Sequence, residues 1–221
     1  LQVPCLQCEH PIQIWNKACG DCGAQQQPLV DAILDDLQES HDASELSLSQ
    51  LDYDQAIESA ASIQKQDDPR LQKFAGWYEE FIERLEQSRT TEYARLKEIL
   101  DEAVANEKAY DYQAGLRVLE QVAEPLLGTK LDTLSATASE VKDRLGKNHA
   151  RLKELEQVVR DRVAKKELAE LLPIVDELLS LKPDRPQVEK LKARLEKRAA
   201  DQLAARDAAI KNATERINHQ Q

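Results

Sequence analysis

From about residue 30 to the end of the chain, apolar residues recur every three or four positions with polar residues between them. That is the period of a helix with one face buried. Between about 70 and 109 the stripe runs through Leu71, Phe74, Tyr78, Phe81, Leu85, Leu96, Ile99, Ala103 and Tyr110, and Pro69 is a start signal. A second long stripe, between about 130 and 165, carries Leu131, Leu134, Ala138, Val141, Leu145, Leu152, Leu155 and Val159. A third follows Pro183 and Pro186 with Val188, Leu191 and Leu195, then fades into an Ala-rich segment over 199–217. Shorter stripes lie between them: Ile57, Ala60 and Ala61, then Leu116, Leu119 and Ala123, then Leu168, Leu171, Leu172, Val175 and Leu178.

These stripes repeat. Tyr53-Asp54-Gln55-Ala56 aligns with Asp111-Tyr112-Gln113-Ala114 and with Lys166-Glu167-Leu168-Ala169, at offsets of 58 and 55 residues. The pattern predicts a mainly α fold, an elongated array of three-helix units sharing long helices. The units run over about 29–88, 89–147 and 148–200, with a C-terminal helical extension to 219. A set of antiparallel coiled-coil hairpins satisfies the same stripes. Only six Gly and eight Pro in 221 residues agree with helix throughout.

The first 24 residues break the period. Pro11-Ile12-Gln13-Ile14-Trp15 alternates as a short strand does, with Asn16-Lys17 as a turn. The chain's four cysteines all lie here, as Cys5-x-x-Cys8 and Cys19-x-x-Cys22, ten residues apart. Two such knuckles joined by one short hairpin bring four thiolates to one tetrahedral Zn²⁺. Iron of the rubredoxin type and a pair of disulfides are the competing readings. Four thiolates leave no open coordination position, so the expected role of zinc is structural. Gly20 and Gly23 are expected to supply positive φ in the second knuckle, whereas the first has Glu9 where glycine is easier. His10 stands beside an already complete ligand set and is expected to face solvent. Residues 25–28 read as a polar hinge between this zinc ribbon (1–24) and the helices, with Pro28 at a first helical position.

Charge narrows the function classes. Net charge is −11. Residues 1–149 hold 14 Lys and Arg against 28 Asp and Glu, and residues 150–221 hold 16 against 13. Between Cys5 and Cys22 the only cation is Lys17, opposed by Glu9 and Asp21, and residues 29–68 add eleven acids against Lys65 alone. A phosphate backbone meets no positive surface there. Basic runs around Arg160, Arg162, Lys165 and Lys166, and from Lys190 to Arg198, are interleaved with acids as on solvated helix faces. No run of roughly 18 apolar residues is present, and no signal peptide opens the chain, so a cytoplasmic location is expected. No metalloprotease, phosphate-binding, esterase or dinucleotide motif occurs, so catalysis is not expected. His41, His149 and His219 have no ligand partner at metal spacing; His41 and His149 read as packing residues.

Two tryptophans are candidate partner-binding residues. Trp15 is either a recognition side chain or, as the smallness of the ribbon favours, the plug that docks it on the first helices. Phe74, Tyr78 and Phe81 share a core stripe, and Trp77 lies one step off it, as an interface residue would.

Val3-Pro4-Cys5-x-x-Cys8, then Ile14-Trp15-Asn16-Lys17-x-Cys19-x-x-Cys22-Gly23 followed by charged helices, resembles the zinc-ribbon and helical regions of large bacterial multidomain proteins. Those proteins often carry a protein kinase or formylglycine-generating-enzyme-like domain. The resemblance implies a non-catalytic linker or adaptor. A chain that starts at Leu1 and contains no Met is read as part of a longer protein. The expected function is therefore a protein-interaction and spacing module with a zinc-stabilised docking head and an unidentified protein partner. A nucleic-acid-binding regulator and a thiol redox or zinc-sensing switch are the alternatives.

Overall fold

The computed structural model describes residues 1–64 and 68–218, with side-chain surroundings to residue 213; Lys65 and His219 lie outside the described residues. The fold is mainly α with a small β-hairpin at the N-terminus. Strands β1 (Gln2–Pro4) and β2 (Pro11–Gln13) precede helices α1 (Gln26–Ser49), α2 (Tyr53–Gln64), α3 (Trp77–Lys108), α4 (Tyr112–Leu119), α5 (Ala138–Ala164), α6 (Leu171–Leu181) and α7 (Pro186–Asn218).

The stripes are what the helices bury. Phe81, Leu85, Leu96, Ile99, Leu100 and Ala103 of α3 and Val141, Leu145, Leu152 and Leu155 of α5 are all buried. Tyr78 is only half-buried. Two breaks fall later than the sequence pattern places them. Pro69 does start a helix, capped by the Asp68 carboxylate on the Arg70 N–H, but it is a six-residue 3₁₀ segment ending at Phe74. Gly76, at φ +80°, then breaks the helix before α3 begins at Trp77. Leu168 likewise precedes α6, because Lys166 and Glu170 both adopt left-handed backbone, and the helix starts at Leu171.

The repeat recurs in backbone conformation, each offset one residue longer than the sequence alignment places it. Leu51, Tyr110 and Lys166 each take φ near +60°, at spacings of 59 and 56 residues. In the first two copies the next residue, Asp52 or Asp111, caps the following helix through its carboxylate, on Gln55 and Ala114. Tyr53 and Tyr112 then come into equivalent buried positions, as do Ala56 and Gly115. Gly115 is small for a reason: a Cβ there would stand 3.0 Å from Leu145 Cδ1 and 3.2 Å from the Ala103 carbonyl oxygen.

The chain divides into two compact units. The first comprises Leu1–Leu100 and Gln121–Ala138, the second Asp101–Glu120 and Ser139–Gln221. In the first, Val30, Leu37, Ile63, Leu71 and Phe74 form a core against which Leu6, Ile33, Leu34 and Trp77 pack. In the second, Leu171, Val175 and Leu195 form a core between α6 and α7. Beyond Leu195 the described side chains of α7 are all exposed, Leu203 and Ile210 included.

Candidate metal centre

The ribbon is built from two matching turns. Val3 pairs with Ile12 and Pro4 with Pro11, so the loop between the strands is the first knuckle itself. Within it the Cys5 N–H donates to the His10 carbonyl and the Glu9 N–H to the Cys5 carbonyl, both at 2.9 Å. In the second knuckle the Cys19 N–H donates to Ala24 and the Gly23 N–H to Cys19, both at 3.0 Å, and Ala18 bridges to Gln25. The hairpin therefore encloses the first knuckle and does not lie between the two as the sequence suggested. The segment after β2 is instead a turn, closed by the Asn16 N–H on the Gln13 carbonyl. Val3 and Ile12 bury with Cys5 and Cys19, and Ile14 packs against them.

Glu9 and Gly23 occupy the same place in the two knuckles and share its conformation, φ 62° and 74°. Gly20 has no such requirement, which corrects the expectation for that residue. A side chain in left-handed backbone costs about 1–2 kcal/mol, offset in part because glycine loses more chain entropy on folding, about 0.5–1 kcal/mol. Replacing Glu9 with Gly is expected to stabilise the metal-loaded ribbon by roughly 0.5–1 kcal/mol. The zinc concentration needed to hold the ribbon folded should fall accordingly, whereas Gly23→Ala should raise it.

All four sulfurs lie within 4.8 Å of one another. Cys5 Sγ is 3.7 Å from Cys22 Sγ, and Cys8 Sγ is 3.8 Å from Cys19 Sγ. Four sulfurs around zinc at about 2.3 Å define a tetrahedron with edges of about 3.8 Å, so the cage fits that ion. Cys5 and Cys19 form the buried side and Cys8 and Cys22 the exposed side. Burial opposes ionisation of Cys5, but N–H groups of Gln7 and Cys8, together with the Cys8 and Cys22 thiols, outweigh it and bring its thiol down to about 6. At Cys8 an N–H from His10 favours the thiolate, yet Cys22 and burial prevail and push it to about 12. One thiolate forms readily, and further negative charge among the sulfurs calls for a cation. His10 is exposed, as its place outside the ligand set predicts.

A set of residues with no motif in the sequence holds this cage. Gln26, expected in a hinge, is inside the first turn of α1 and 3% exposed. Its Nε2 donates to Cys5 Sγ at 3.3 Å and to the Ala24 carbonyl at 3.1 Å. Its Oε1 accepts from the Leu6 N–H at 3.1 Å and from Arg70 Nη1 at 3.3 Å. Arg70 also donates from Nη2 to the Pro4 carbonyl at 2.8 Å and pairs with Asp68 through Nε and Nη2. Leu6 adds an apolar contact on the core of α1 and the 3₁₀ segment. Hydrogen bonds made behind a ligand in this way orient it and raise metal affinity. The glutamine stretch and Asp68-Pro69-Arg70 are visible in the sequence, but nothing there joins residues 44 and 66 positions apart.

Trp15 takes no part in this docking and is 70% exposed; Leu6, Gln26 and Arg70 tie the ribbon down in its place. Trp77 is half-buried: it stacks on Phe81 at 4.7 Å, lies 4.7 Å from the His41 ring and donates its N–H to Glu45 at 3.1 Å. Arg84 fixes that carboxylate in turn. Trp77 is thus occupied within its own unit. His41 packs against Phe74 and Trp77, as expected of it, and His149 is half-buried.

Comparison with family models, curated proteins and solved structures finds no match to this chain. No described helix is long and apolar enough to cross a membrane.

Proposed function

We propose that the chain is a non-catalytic protein-interaction module whose zinc-stabilised ribbon is its docking head. The observation that carries this reading is Trp15: a large aromatic side chain, 70% exposed, on a ribbon held to α1 and the 3₁₀ segment by Arg70 and Gln26. Exposed aromatics on a rigid support are the residues that contribute most to protein interfaces. Zinc, held by Cys5, Cys8, Cys19 and Cys22, supplies the folding free energy that so small a hairpin core lacks.

The partner surface that suits this head is basic. Glu9 and Asp21 lie on the ribbon, and α1 carries Asp31, Asp35, Asp36, Glu39, Asp42 and Glu45 with no Lys or Arg. Such a field speeds association with a cationic surface and repels phosphate. Trp15→Ala is expected to weaken capture of the native partner by about tenfold or more while circular dichroism and bound zinc stay unchanged. Raised salt should slow association more than it speeds dissociation. Undiminished binding by Trp15→Ala, measured by surface plasmon resonance on the partner recovered from cell extract, removes the ribbon from the interface.

A further inference from the structure

The two basic runs of the second unit converge on an apolar cleft. Between the C-terminal turns of α5 and the first turns of α7 lies an open groove of about 530 Å³. That is within the range of functional binding clefts, about 300–1,000 Å³. Its floor is Val159 and Val163 from α5 and Val188 and Leu191 from α7, and Val163 is 41% exposed. Arg160 rises from one helix, Lys190 and Arg194 from the other, and no carboxylate lines the groove.

Charge identifies what fits. Four cations of the second unit are held in ion pairs: Arg144 by Glu107, Arg151 by Glu177 and Glu154, Arg185 by Glu156, and Lys192 by Asp176. Arg160, Lys190 and Arg194 have no carboxylate at ion-pair distance among the described residues; Arg160 meets only the Gln157 amide. We propose that this groove docks an acidic amphipathic helix of a protein partner. Val159 and Val163 are one turn apart on α5, as are Val188 and Leu191 on α7. Apolar side chains one turn apart on an incoming helix fill the space between these two rows. Carboxylates flanking them meet Arg160 on one side and the Lys190–Arg194 pair on the other. An anionic membrane suits the site less well, because its apolar groups form a recess and do not project as an interfacial helix requires. The site uses no ribbon residue and stands apart from the reading of Trp15.

The experiment uses the full chain loaded with zinc. Fluorescence anisotropy follows a labelled synthetic helical peptide with Leu at i, i+4, i+7 and i+11 and Glu at the flanking positions, beside a version with Lys for every Glu. The acidic peptide should bind saturably and the basic one not at all. Val163→Asp, and the double change Lys190→Glu with Arg194→Glu, should each weaken binding at least about tenfold. These positions are exposed or half-exposed, so circular dichroism should not change, and Trp15→Ala should bind the peptide normally. Equal binding of both peptides, no binding of either, or indifference to the groove substitutions overturns the proposal. So does a dimer in sedimentation that Val163→Asp abolishes, which assigns the groove to a second copy. Capture by phosphatidylserine vesicles in place of the peptide overturns it as well.

Discussion

Replacing Arg70 with Ala is expected to cost about 3 kcal/mol of stability in the first unit and to free the ribbon from it. Arg70 and Asp68 pair with side chains only 8% and 13% exposed, so removing the cation strands a carboxylate with little access to water. The same substitution deletes the donors to the Pro4 carbonyl and to Gln26 Oε1. Arg70→Lys should recover only part of the loss, because an ammonium restores the charge but not the fork that reaches Asp68, Gln26 and Pro4 together. Denaturant titration gives the stability change, and limited proteolysis within residues 9–20 reports ribbon release. An Arg70→Ala chain as stable and as protease-resistant as the parent would show that Leu6 and the strands suffice to seat the ribbon.

The same pair sets a pH dependence. Hydrogen bonds and charge from Arg70 hold the Asp68 carboxyl below its ordinary range despite the opposing effect of burial. A depressed folded-state value means that the stabilisation is complete above the unfolded value, near pH 4, and is lost as pH falls through the folded value. Asp68→Asn should therefore flatten the acid limb of the stability profile below about pH 4. Protonation of metal-bound thiolates would add an acid limb of its own, so the comparison is made on chelated samples of both chains.

Removing the metal is expected to unfold residues 1–24 and leave the helices standing. Structural zinc sites contribute about 10–16 kcal/mol to folding, and the buried apolar residues of this ribbon, Val3 and Ile12, are too few to replace that. The core of Val30, Leu37, Ile63, Leu71 and Phe74 draws only Leu6 from the ribbon. Chelation, or Cys5→Ser with Cys19→Ser, should thus leave the helical circular dichroism almost unchanged while amide exchange across 1–24 becomes as fast as in an unstructured peptide. Loss of α1 along with the ribbon would mean that Gln26 and Arg70 transmit the metal's contribution into the helical core.

What the sequence revealed and what it hid follow from the range of each signal. Helical stripes are local, and so Phe81, Leu85, Leu145 and Val175 bury as the period requires. The cysteine pairs are likewise legible, because two knuckles carry their geometry within a few residues, down to the awkward backbone at Glu9. Left-handed backbone at Gly76, Lys166 and Glu170 is obscured by continuous apolar spacing across these residues. The seating of the ribbon is hidden for another reason. It depends on Gln26 and Arg70, polar residues ordinarily read as solvent-facing, which meet across 44 positions. Trp15 runs the opposite way: its hydrophobicity argues for burial, but Leu6, Gln26 and Arg70 seat the ribbon without it.

The whole reading of the ribbon depends on a zinc ion held by four cysteine sulfurs. X-ray absorption at the zinc edge of the purified chain observes that shell itself. One zinc per chain is expected, with four sulfur neighbours at about 2.3 Å and no nitrogen or oxygen among them. A chain without zinc, or a shell containing nitrogen, oxygen or fewer than four sulfurs, would refute it.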